Sequence, residues 1–345
     1  MLSSTTMMQA DKITSSCLKG LSSRAKDVIV RRFGIGRKSR ETLESIGQNY
    51  GITRERVRQI ENATLNKIRT THGPALQETF DHLRSEMNGR GGLVKEGSFL
   101  NSLGTNPKDA NYFNFLLNLG SDFTRLSESE EFYSHWTTDE DGAGKIRASL
   151  TVLHKELGAS DLLSENDMVA RLSAHLKERA AVTASSISPE VAVLLLGVSK
   201  KIGRNHLGEW GMASSPHISP KGMRDMACLV LRKHGKPMHF TEIASSISSL
   251  INKPAHTQTV HNELIKDGQF VLVGRGLYAL SSMGYKKGVV SDVIKEILAL
   301  KGALGKDDIV KEVLKERYVK EGTILINLQN KNYFRRTAEG HYTLA

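Results

Sequence analysis

The sequence predicts a mainly α-helical protein in which short β-hairpins follow sets of three helices. Residues 42–60 contain the glycines, capping residues and apolar residues of two helices joined by a tight turn. The rest of the chain repeats a pattern of three helices and one hairpin, with a weak period of about 65–70 residues. Apolar residues make up 39% of the chain and charged residues 25%, which is typical of a folded protein and excludes a disordered one.

Positive charge is concentrated at the two ends of the chain, within a net charge of +11. Residues 21–70 hold 12 Lys/Arg against 5 Asp/Glu, residues 71–216 hold 14 against 19, and residues 217–345 hold 20 against 12. Basic surfaces attract a polyanion such as DNA and acidic surfaces repel it. The distribution therefore favours nucleic-acid binding by the two ends and a different role for the middle.

A helix-turn-helix is predicted between Thr42 and Ile60. Two helices that cross steeply through a short turn need a small residue where they approach, and Gly47 occupies that position. The turn needs a residue that tolerates positive φ, which is Gly51. Thr42 and Thr53 stand where the N-caps of the two helices belong. The shared core is filled by apolar residues at matching spacings, namely Leu43, Ile46, Tyr50, Ile52, Val57 and Ile60.

The outward face of the second helix carries side chains that can read DNA bases. Once Val57 and Ile60 are placed inward, helical spacing fixes the opposite face. Arg can bond guanine bidentately, Gln can pair with adenine, and Glu can accept from the cytosine amino group. The alternative is a solvated face of Glu–Arg pairs, but this does not account for the complete turn signature. The predicted base-reading residues are Arg54, Glu55, Arg58 and Gln59, whereas Arg56 points elsewhere on the helix.

Two stretches resemble region 4 of the sigma-seventy class of bacterial sigma factors. They are "LSSRAKDVIVRRFGIG" (residues 21–36) and "TLESIGQNYGITRERVRQIENATLNKIR" (residues 42–69). The most specific parts are "RFGI", "TLESIG" and "TRERVRQIE". The resemblance implies that this domain reads the promoter −35 element and docks on the flap of the RNA polymerase β subunit. It also implies the same four base-reading residues.

The resemblance further implies contacts around the reading helix. By position it places an arginine of the first helix and the N-cap threonine near phosphates, and it places polymerase contacts on the earlier helices. The loop "GRKSRET" is more basic than is usual in the family, which favours additional phosphate contacts. The expected phosphate contacts are Arg24, Arg37, Lys38, Arg40, Thr42 and Arg56, and the expected polymerase contacts are Val28, Arg32 and Phe33.

The chain also departs from that family. Only 20 residues precede Leu21, so we expect that the domains for reading the −10 element and melting the duplex are absent. The protein is then expected not to act as a complete sigma factor. The stretch "MLSSTTMMQADKITSS" lacks the basic start and apolar block of a signal peptide, and no apolar run approaches the roughly 20 residues that would span a bilayer, so we expect neither a signal peptide nor a membrane span. A cytoplasmic, bacterial, nucleoid-associated location with no membrane partner is predicted.

The remaining chain is predicted to form four tandem winged-helix units. Each consists of three helices followed by a hairpin, which describes a winged helix, and the second unit is the most divergent. The fourth shows the pattern most clearly, from "VVSDVIKEILALKG" to the hairpin "YFRRTAEGHYTL". The predicted domains are a flexible N-terminus (1–20), a helix-turn-helix or head domain (21–75), and the first to fourth repeats at 76–140, 145–214, 218–283 and 287–345.

The third repeat resembles the HARE helix-turn-helix domain, which occurs in the delta subunit of bacterial RNA polymerase. The stretches that carry this resemblance are "HGKPMHFTEIA" (residues 234–244) and "DGQFVLVGRGLYALS" (residues 267–281). The family is a binding module, and winged helices bind either DNA or protein. The acidic hairpin "SESEEFYSHW" of the first repeat would repel phosphate, so the middle repeats are expected to be spacers or protein docks. The expected wing contacts with DNA are Arg275, Arg335 and Arg336.

Enzymatic chemistry is not predicted. The glycines of "FGIGRKSR" and "VGRGLYAL" lack the spacing and the strand-then-helix setting of a phosphate-binding loop. The 12 histidines are scattered, and no nucleophile has an evident base partner. The two cysteines, Cys17 and Cys228, are too few for a disulfide framework or a cysteine zinc site. No cofactor, metal or small-molecule substrate is expected.

The sequence therefore predicts a DNA-binding transcription regulator that reads a −35-like element and contacts RNA polymerase. Double-stranded promoter DNA and RNA polymerase are the expected partners. An alternative is a polymerase accessory subunit that occupies the β-flap and competes with sigma factors without reading DNA. A weaker third hypothesis, a mobile-element or restriction-linked DNA binder, rests on the HARE-like repeat alone.

Overall fold

The computed structural model describes residues 10–37, 39–104, 107–179, 187–285 and 288–345. The chain divides into two compact bodies. The N-terminal body extends to Gly203 and includes residues 209–214, and the C-terminal body comprises residues 204–208 and 215–345.

The N-terminal body contains the head domain and the first two repeats. Its core brings together apolar residues of the head and of the first repeat, among them Phe33, Ile68, Phe115 and Trp136. Its helices are α1 (Ala10–Cys17), α2 (Ser23–Phe33), α3 (Leu43–Tyr50), α4 (Arg54–Asn88), α5 (Glu96–Leu103), α6 (Pro107–Leu119), α7 (Glu140–Glu156), α8 (Glu165–Glu178) and α9 (Pro189–Leu196). Its strands are β1 (Leu93–Lys95), β2 (Thr124–Leu126), β3 (His135–Thr137), β4 (Ile202–Arg204) and β5 (Trp210–Met212).

The N-terminal segment before the head domain contains a packed helix. The sequence analysis assigned residues 1–20 to a flexible N-terminus, whereas residues 10–17 form α1. Ala10 and Cys17 on this helix are buried in the core that contains Phe33 and Ile68. Burial of these apolar side chains against the head domain stabilises a helix too short to form on its own.

The second helix of the head domain continues without interruption into the first repeat. Helix α4 runs for 35 residues and includes Pro74, so it passes through the expected domain boundary at 75/76. Leu65 and Ile68 before Pro74, and Leu83 and Met87 after it, are all buried in one core. Their shared burial outweighs the missing backbone hydrogen bond at the proline.

The first two repeats close with short antiparallel strands. Strand β3 pairs with β1 and with β2, which gives the sheet order β1-β3-β2. Strands β4 and β5 form a separate two-stranded sheet. The second repeat is built around its own core, which includes Leu150, Leu172, Leu195 and Trp210.

The C-terminal body contains the third and fourth repeats. Each has its own core, and the sheets have the orders β6-β8-β7 and β9-β10. Its helices are α10 (Met223–His234), α11 (Phe240–Ile251), α12 (Thr257–Lys266), α13 (Val290–Lys301), α14 (Lys306–Glu316) and α15 (Glu321–Leu328). Its strands are β6 (Met238–His239), β7 (Phe270–Gly274), β8 (Leu277–Leu280), β9 (Phe334–Arg336) and β10 (Tyr342–Leu344).

The third and fourth repeats are joined along the edge of β7. The backbone N–H of Tyr318 donates to the carbonyl of Val273 at 2.7 Å, and Tyr318 forms a parallel bridge with Gly274. A Cβ at position 274 would lie 2.5 Å from the Tyr318 carbonyl oxygen, so glycine is required for this approach. The contact covers a strand edge that would otherwise expose unpaired backbone groups.

The predicted fold class is confirmed. The described residues are mainly helical, and their strands form only small antiparallel sheets of two or three strands. The order of three helices and a hairpin recurs four times, with α4 supplying the first helix of the first repeat. The assignment of these repeats to winged helices stays a prediction. In the part of the chain that the structure describes, no helix is long and apolar enough to cross a membrane.

Candidate nucleic-acid interface

The turn between α3 and α4 is built by the residues that the sequence singled out. Gly51 has φ +62°, a left-handed conformation that glycine adopts without strain. The Thr42 hydroxyl accepts from the Ser45 N–H at 3.1 Å, and the Thr53 hydroxyl accepts from the Arg56 N–H at 3.2 Å. Both hydroxyls thus cap their helices.

Close packing at Gly47 sets the crossing of the two helices. A Cβ at this position would lie 2.6 Å from the carbonyl oxygen of Ile52. Val28, Ile46 and Val57 are fully buried beneath the turn. Because these contacts fix which side of α4 faces the core, they also fix which side faces solvent.

The four predicted base-reading residues lie together on the solvent side of the first two turns of α4. Arg54, Glu55, Arg58 and Gln59 are all exposed. A recognition helix contacts base edges with its N-terminal residues, so this is the part of α4 that would enter a major groove. The structure therefore presents these residues where base reading would require them.

Three of these four side chains, those of Glu55, Arg58 and Gln59, are hydrogen-bonded to neighbours on α4. Arg58 donates to both carboxylate oxygens of Glu55, at 2.8 and 2.7 Å, and Arg56 Nη1 donates to Gln59 Oε1 at 3.0 Å. The hydrogen bond from Arg58 lowers the pKa of Glu55, and the same bond raises the pKa of Arg58. Arg54 makes no hydrogen bond with the described residues. Binding to a base would exchange the exposed Glu55–Arg58 pair for a contact with DNA, and such exposed pairs contribute little to stability.

Two of the predicted phosphate contacts, Arg24 and Arg37, have exposed side chains. Arg24 lies over the ring of Tyr50, with 5.1 Å between Cζ and the ring centroid. The Tyr50 hydroxyl donates to Asp27 at 2.7 Å, which holds the ring in place. Arg37 is 47% exposed and donates to Glu41 at 3.0 Å. Lys38 was also predicted to contact phosphate, and it lies outside the described residues.

Arg40 is placed differently from the other predicted phosphate contacts. Its Nε donates to Asn111 Oδ1 at 3.1 Å, and its Nη1 donates to Glu96 Oε1 at 3.3 Å. Both partners belong to the first repeat. Arg40 thus ties the loop before α3 to that repeat and is only partly available to a phosphate.

Asn111 is a structural determinant of this loop that sequence reasoning missed. It is 5% exposed, and its amide group donates to the carbonyl oxygens of Gly34 at 3.1 Å and Arg37 at 3.2 Å while accepting from Arg40. No local sequence pattern predicts that Asn111 holds this loop, because it lies 71 residues from Arg40 in the sequence. The buried amide fixes the course of the basic loop between α2 and α3.

Glu41 connects this loop to α2. It accepts from Arg31 Nε and Nη2, at 2.7 Å for the shortest bond, and from Arg37 Nη1. The hydrogen bond from Arg31 lowers the pKa of Glu41 below its ordinary value of 4.5. The carboxylate therefore stabilises the head domain in its ionised form.

We expect the substitution Glu41→Gln to lower the free energy of unfolding at neutral pH by on the order of 1 kcal/mol. Since the pKa of Glu41 is lowered on folding, its contribution is fully present above 4.5 and is lost as the pH falls through the lowered pKa. Urea unfolding of both proteins across this range measures the difference, which should shrink in acid. The matched control Glu44→Gln removes an exposed carboxylate of α3 that makes no ion pair with the described residues. A difference that does not change with pH would contradict the role given to Glu41.

Two of the predicted polymerase contacts are buried. Val28 is fully buried, and Phe33 is 4% exposed with its ring centroid 5.4 Å from that of Phe115. These two side chains pack the core and offer no surface to a partner. Arg32 is partly exposed and donates to Glu61 at 3.4 Å, so among the three it is the residue that could reach another protein.

The predicted wing contacts lie in the C-terminal body. Arg275 is exposed in the turn between β7 and β8. Arg335 and Arg336 are exposed on β9, where Arg335 Nε donates to the Thr343 hydroxyl at 3.2 Å and Arg336 Nε donates to the Gly340 carbonyl at 3.3 Å. The structure thus places all three on hairpins.

A turn-linked helix pair with arginine, glutamate and glutamine on the first turns of the second helix is typical of DNA-binding helix-turn-helix domains. A comparison with protein-family models agrees with this class. Residues 17–70 match the model of sigma-70, region 4. Region 4 is a DNA-binding helix-turn-helix that acts in transcription and in recognition of the promoter −35 element, and it is not a catalytic domain.

The match confirms the resemblance that was drawn from "TLESIG" and "TRERVRQIE" for this segment. It ends at residue 70, so the four repeats lie outside it. Sigma region 4 generally interacts with DNA and with RNA polymerase. Among the described residues, no group of His, Cys, Asp and Glu is arranged to hold a metal ion.

Proposed function

We propose that the protein is a transcription regulator that reads a −35-like promoter element through the head domain and contacts RNA polymerase at the β-flap. The observation that carries this proposal is the exposed set of Arg54, Glu55, Arg58 and Gln59 on the first two turns of α4. The packing at Gly47 orients that set, and the match to sigma-70 region 4 supports its role.

Each reading residue has a role that follows from its chemistry. Arg54 and Arg58 have the bidentate geometry that recognises guanine O6 and N7, and Gln59 can bond adenine. Glu55 orients Arg58 before binding, and its carboxylate can accept from cytosine N4. Arg24, Arg37 and Arg56 neutralise phosphates and so contribute affinity that does not depend on sequence.

The substitutions Arg54→Ala and Arg58→Ala test the base-reading role. Each should weaken binding to a −35-like duplex by roughly 10- to 100-fold, because a bidentate arginine–guanine pair discriminates by about 1–3 kcal/mol. The preference over a scrambled duplex should disappear in the double variant. Fluorescence anisotropy with both duplexes at several salt concentrations measures both quantities.

The matched control is Lys67→Ala, which removes an exposed charge from the same helix beyond the reading turns. It should leave the preference between the two duplexes unchanged. Unchanged affinity and unchanged preference in the double variant would refute the base-reading claim. Strong binding to polymerase with no salt-dependent duplex binding by the unaltered protein would instead favour the polymerase accessory subunit.

A further inference from the structure

The third helix of each repeat has a different environment. In the first repeat, this helix is α6, which is buried almost along its whole length and packs against the head domain through Phe115 and Asn111. In the second repeat, it is α9, whose Val191 and Leu195 lie against Gly91 in the segment between α4 and β1 of the first repeat. Both helices therefore pack against other elements of the N-terminal body.

In the third repeat, one side of the third helix, α12, is exposed to solvent. On α12 only Val260 and Leu264 are buried, and they form the side that faces the repeat's own core. The opposite side exposes mainly polar residues, together with Ile265, which is 64% exposed. The third helix of the fourth repeat, α15, likewise exposes Ile326, which is 70% exposed, but it begins with Glu321. The exposed residues of α12 are Thr257, Gln258, Thr259, Asn262, Ile265 and Lys266.

The chemistry of the open side suits base edges. Gln258 Nε2 donates to Asn262 Oδ1 at 3.0 Å, so two amides lie one helical turn apart on the same side. Amide side chains can bond adenine N6 and N7, and hydroxyls such as that of Thr259 can donate or accept. No carboxylate is among the exposed residues of α12. Such a side can approach a nucleic acid without burying a negative charge.

Three of the four carboxylates of the third repeat are engaged within the repeat, and the fourth, Glu263 of α12, is half-buried and adds to the effect of the Asp225 hydrogen bond in raising the pKa of Arg224. Arg224 pairs with Asp225 at 2.9 Å and with Asp267 at 3.6 Å, and Glu242 accepts from the His239 N–H at 3.1 Å. Lys253 before α12 and Lys266 at its end, in contrast, are exposed and form no ion pair with the described residues. The surface around α12 therefore has uncompensated positive charge, which complements a polyanion.

The hairpin turn that carries Arg275 is held next to α12 by a stack of aromatic rings. Gly276 has φ +72°, and a Cβ there would lie 2.4 Å from His239 Nε2, so the turn rests directly on His239. The ring of Phe240 lies 4.5 Å from that of His239 and stacks at 4.3 Å on His261, which belongs to α12. This continuous contact fixes the turn that carries the exposed Arg275 relative to α12.

We propose that the exposed side of α12, together with Lys253, Lys266 and Arg275, is a second surface for double-stranded DNA. The amides of Gln258 and Asn262 face the bases in the major groove, and the three cations contact phosphates on either side. The protein then has two DNA-contacting surfaces, one on each body. This inference rests on the third repeat alone and holds whether or not the head domain reads a promoter.

The test uses the full chain with the head surface disabled by Arg54→Ala and Arg58→Ala, which remove base reading, and by Arg24→Ala, Arg37→Ala and Arg56→Ala, which remove the proposed phosphate contacts of the head. This variant should still bind a duplex without a −35-like element, and its affinity should fall with salt. Adding Lys266→Ala and Arg275→Ala should weaken binding roughly 10-fold or more and reduce the slope of log K against log salt by about 2. Adding Gln258→Ala and Asn262→Ala instead should leave that slope unchanged and reduce any preference among duplex sequences.

The matched control in the same background is Lys311→Ala with Lys320→Ala, two exposed cations of the fourth repeat that form no ion pair with the described residues. Circular dichroism of each variant verifies that it is folded. The proposal is overturned if the head-disabled protein shows no salt-dependent duplex binding, or if the Lys266/Arg275 variant behaves like the control. It is also overturned if RNA is bound in preference to the DNA duplex. Any of these results leaves the base-reading test of Arg54 and Arg58 unaffected.

Discussion

The substitution Gly47→Ala is expected to destabilise the head domain by about 1–3 kcal/mol and to abolish most binding to a −35-like duplex. The added Cβ would lie 2.6 Å from the Ile52 carbonyl oxygen and 3.5 Å from the Arg54 backbone nitrogen. Because these are backbone atoms of the turn, no side-chain rotation can relieve the clash. Helix α3 must move away from the start of α4, which disturbs the position of the reading residues. Thermal unfolding followed by circular dichroism, and anisotropy with labelled duplex, measure the two effects.

Gly144 provides a control of the opposite sign for Gly47→Ala. It lies exposed inside α7, and a Cβ there would meet nothing within 4 Å. The substitution Gly144→Ala should stabilise the protein by about 0.5–1 kcal/mol, because alanine has the higher helix propensity and restricts the unfolded chain. Equal effects of the two substitutions on stability would contradict the close approach of α3 to the turn.

The substitution Asn111→Ala is expected to loosen the loop between α2 and α3 and to weaken binding to all duplexes alike. It removes two hydrogen bonds to backbone carbonyls and the acceptor of Arg40, although the Gly34 carbonyl still accepts from the Arg37 N–H at 2.9 Å. An intramolecular hydrogen bond contributes about 0.5–1.5 kcal/mol, so urea unfolding should show a loss of about 1–3 kcal/mol. Since the loop contains Arg37, a proposed phosphate contact, but none of the proposed base-reading residues, the preference between −35-like and scrambled duplexes should persist.

Asn118 is the matched control for Asn111. It lies on the same helix α6, and within the described part of the chain its side-chain amide donates only to the Asn114 carbonyl of that helix, at 2.7 Å. The substitution Asn118→Ala should therefore change neither the loop nor DNA affinity. If both alanine variants bind DNA like the unaltered protein, Asn111 does not position the phosphate-contacting loop.

The local geometry of the helix-turn-helix was predictable because its determinants lie close together in the sequence. Each determinant makes a steric or hydrogen-bonding contribution to residues only a few positions away, and the four are Thr42, Gly47, Gly51 and Thr53. The structure shows all four in those roles, with the caps and the positive φ in place. The helices and hairpins of the repeats were predictable for the same reason, since periods of 3.6 and 2 are local properties.

What the sequence did not reveal depends on contacts between distant residues. The role of Asn111 requires the first repeat to pack on the head domain, and no pattern around position 111 encodes that packing. The continuity of α4 was hidden by Gly73 and Pro74, which resemble a break in the helix. Burial of Leu76, Leu83 and Met87 overrides that local signal. Likewise, Val28 and Phe33 were expected to contact RNA polymerase. That expectation came from their positions in the family's motif, which do not show whether a side chain is buried in this protein.

The unbroken course of α4 has a geometric consequence for anything that binds the first repeat. An α-helix turns by about 100° and rises about 1.5 Å per residue, so each residue between the reading turns and Asn88 sets an angle as well as a distance. If α4 enters a DNA groove as proposed, a protein docked on the first repeat would be held at a defined angle around the DNA axis relative to that groove. The length and the twist of α4 together would set the orientation of such a partner relative to the DNA.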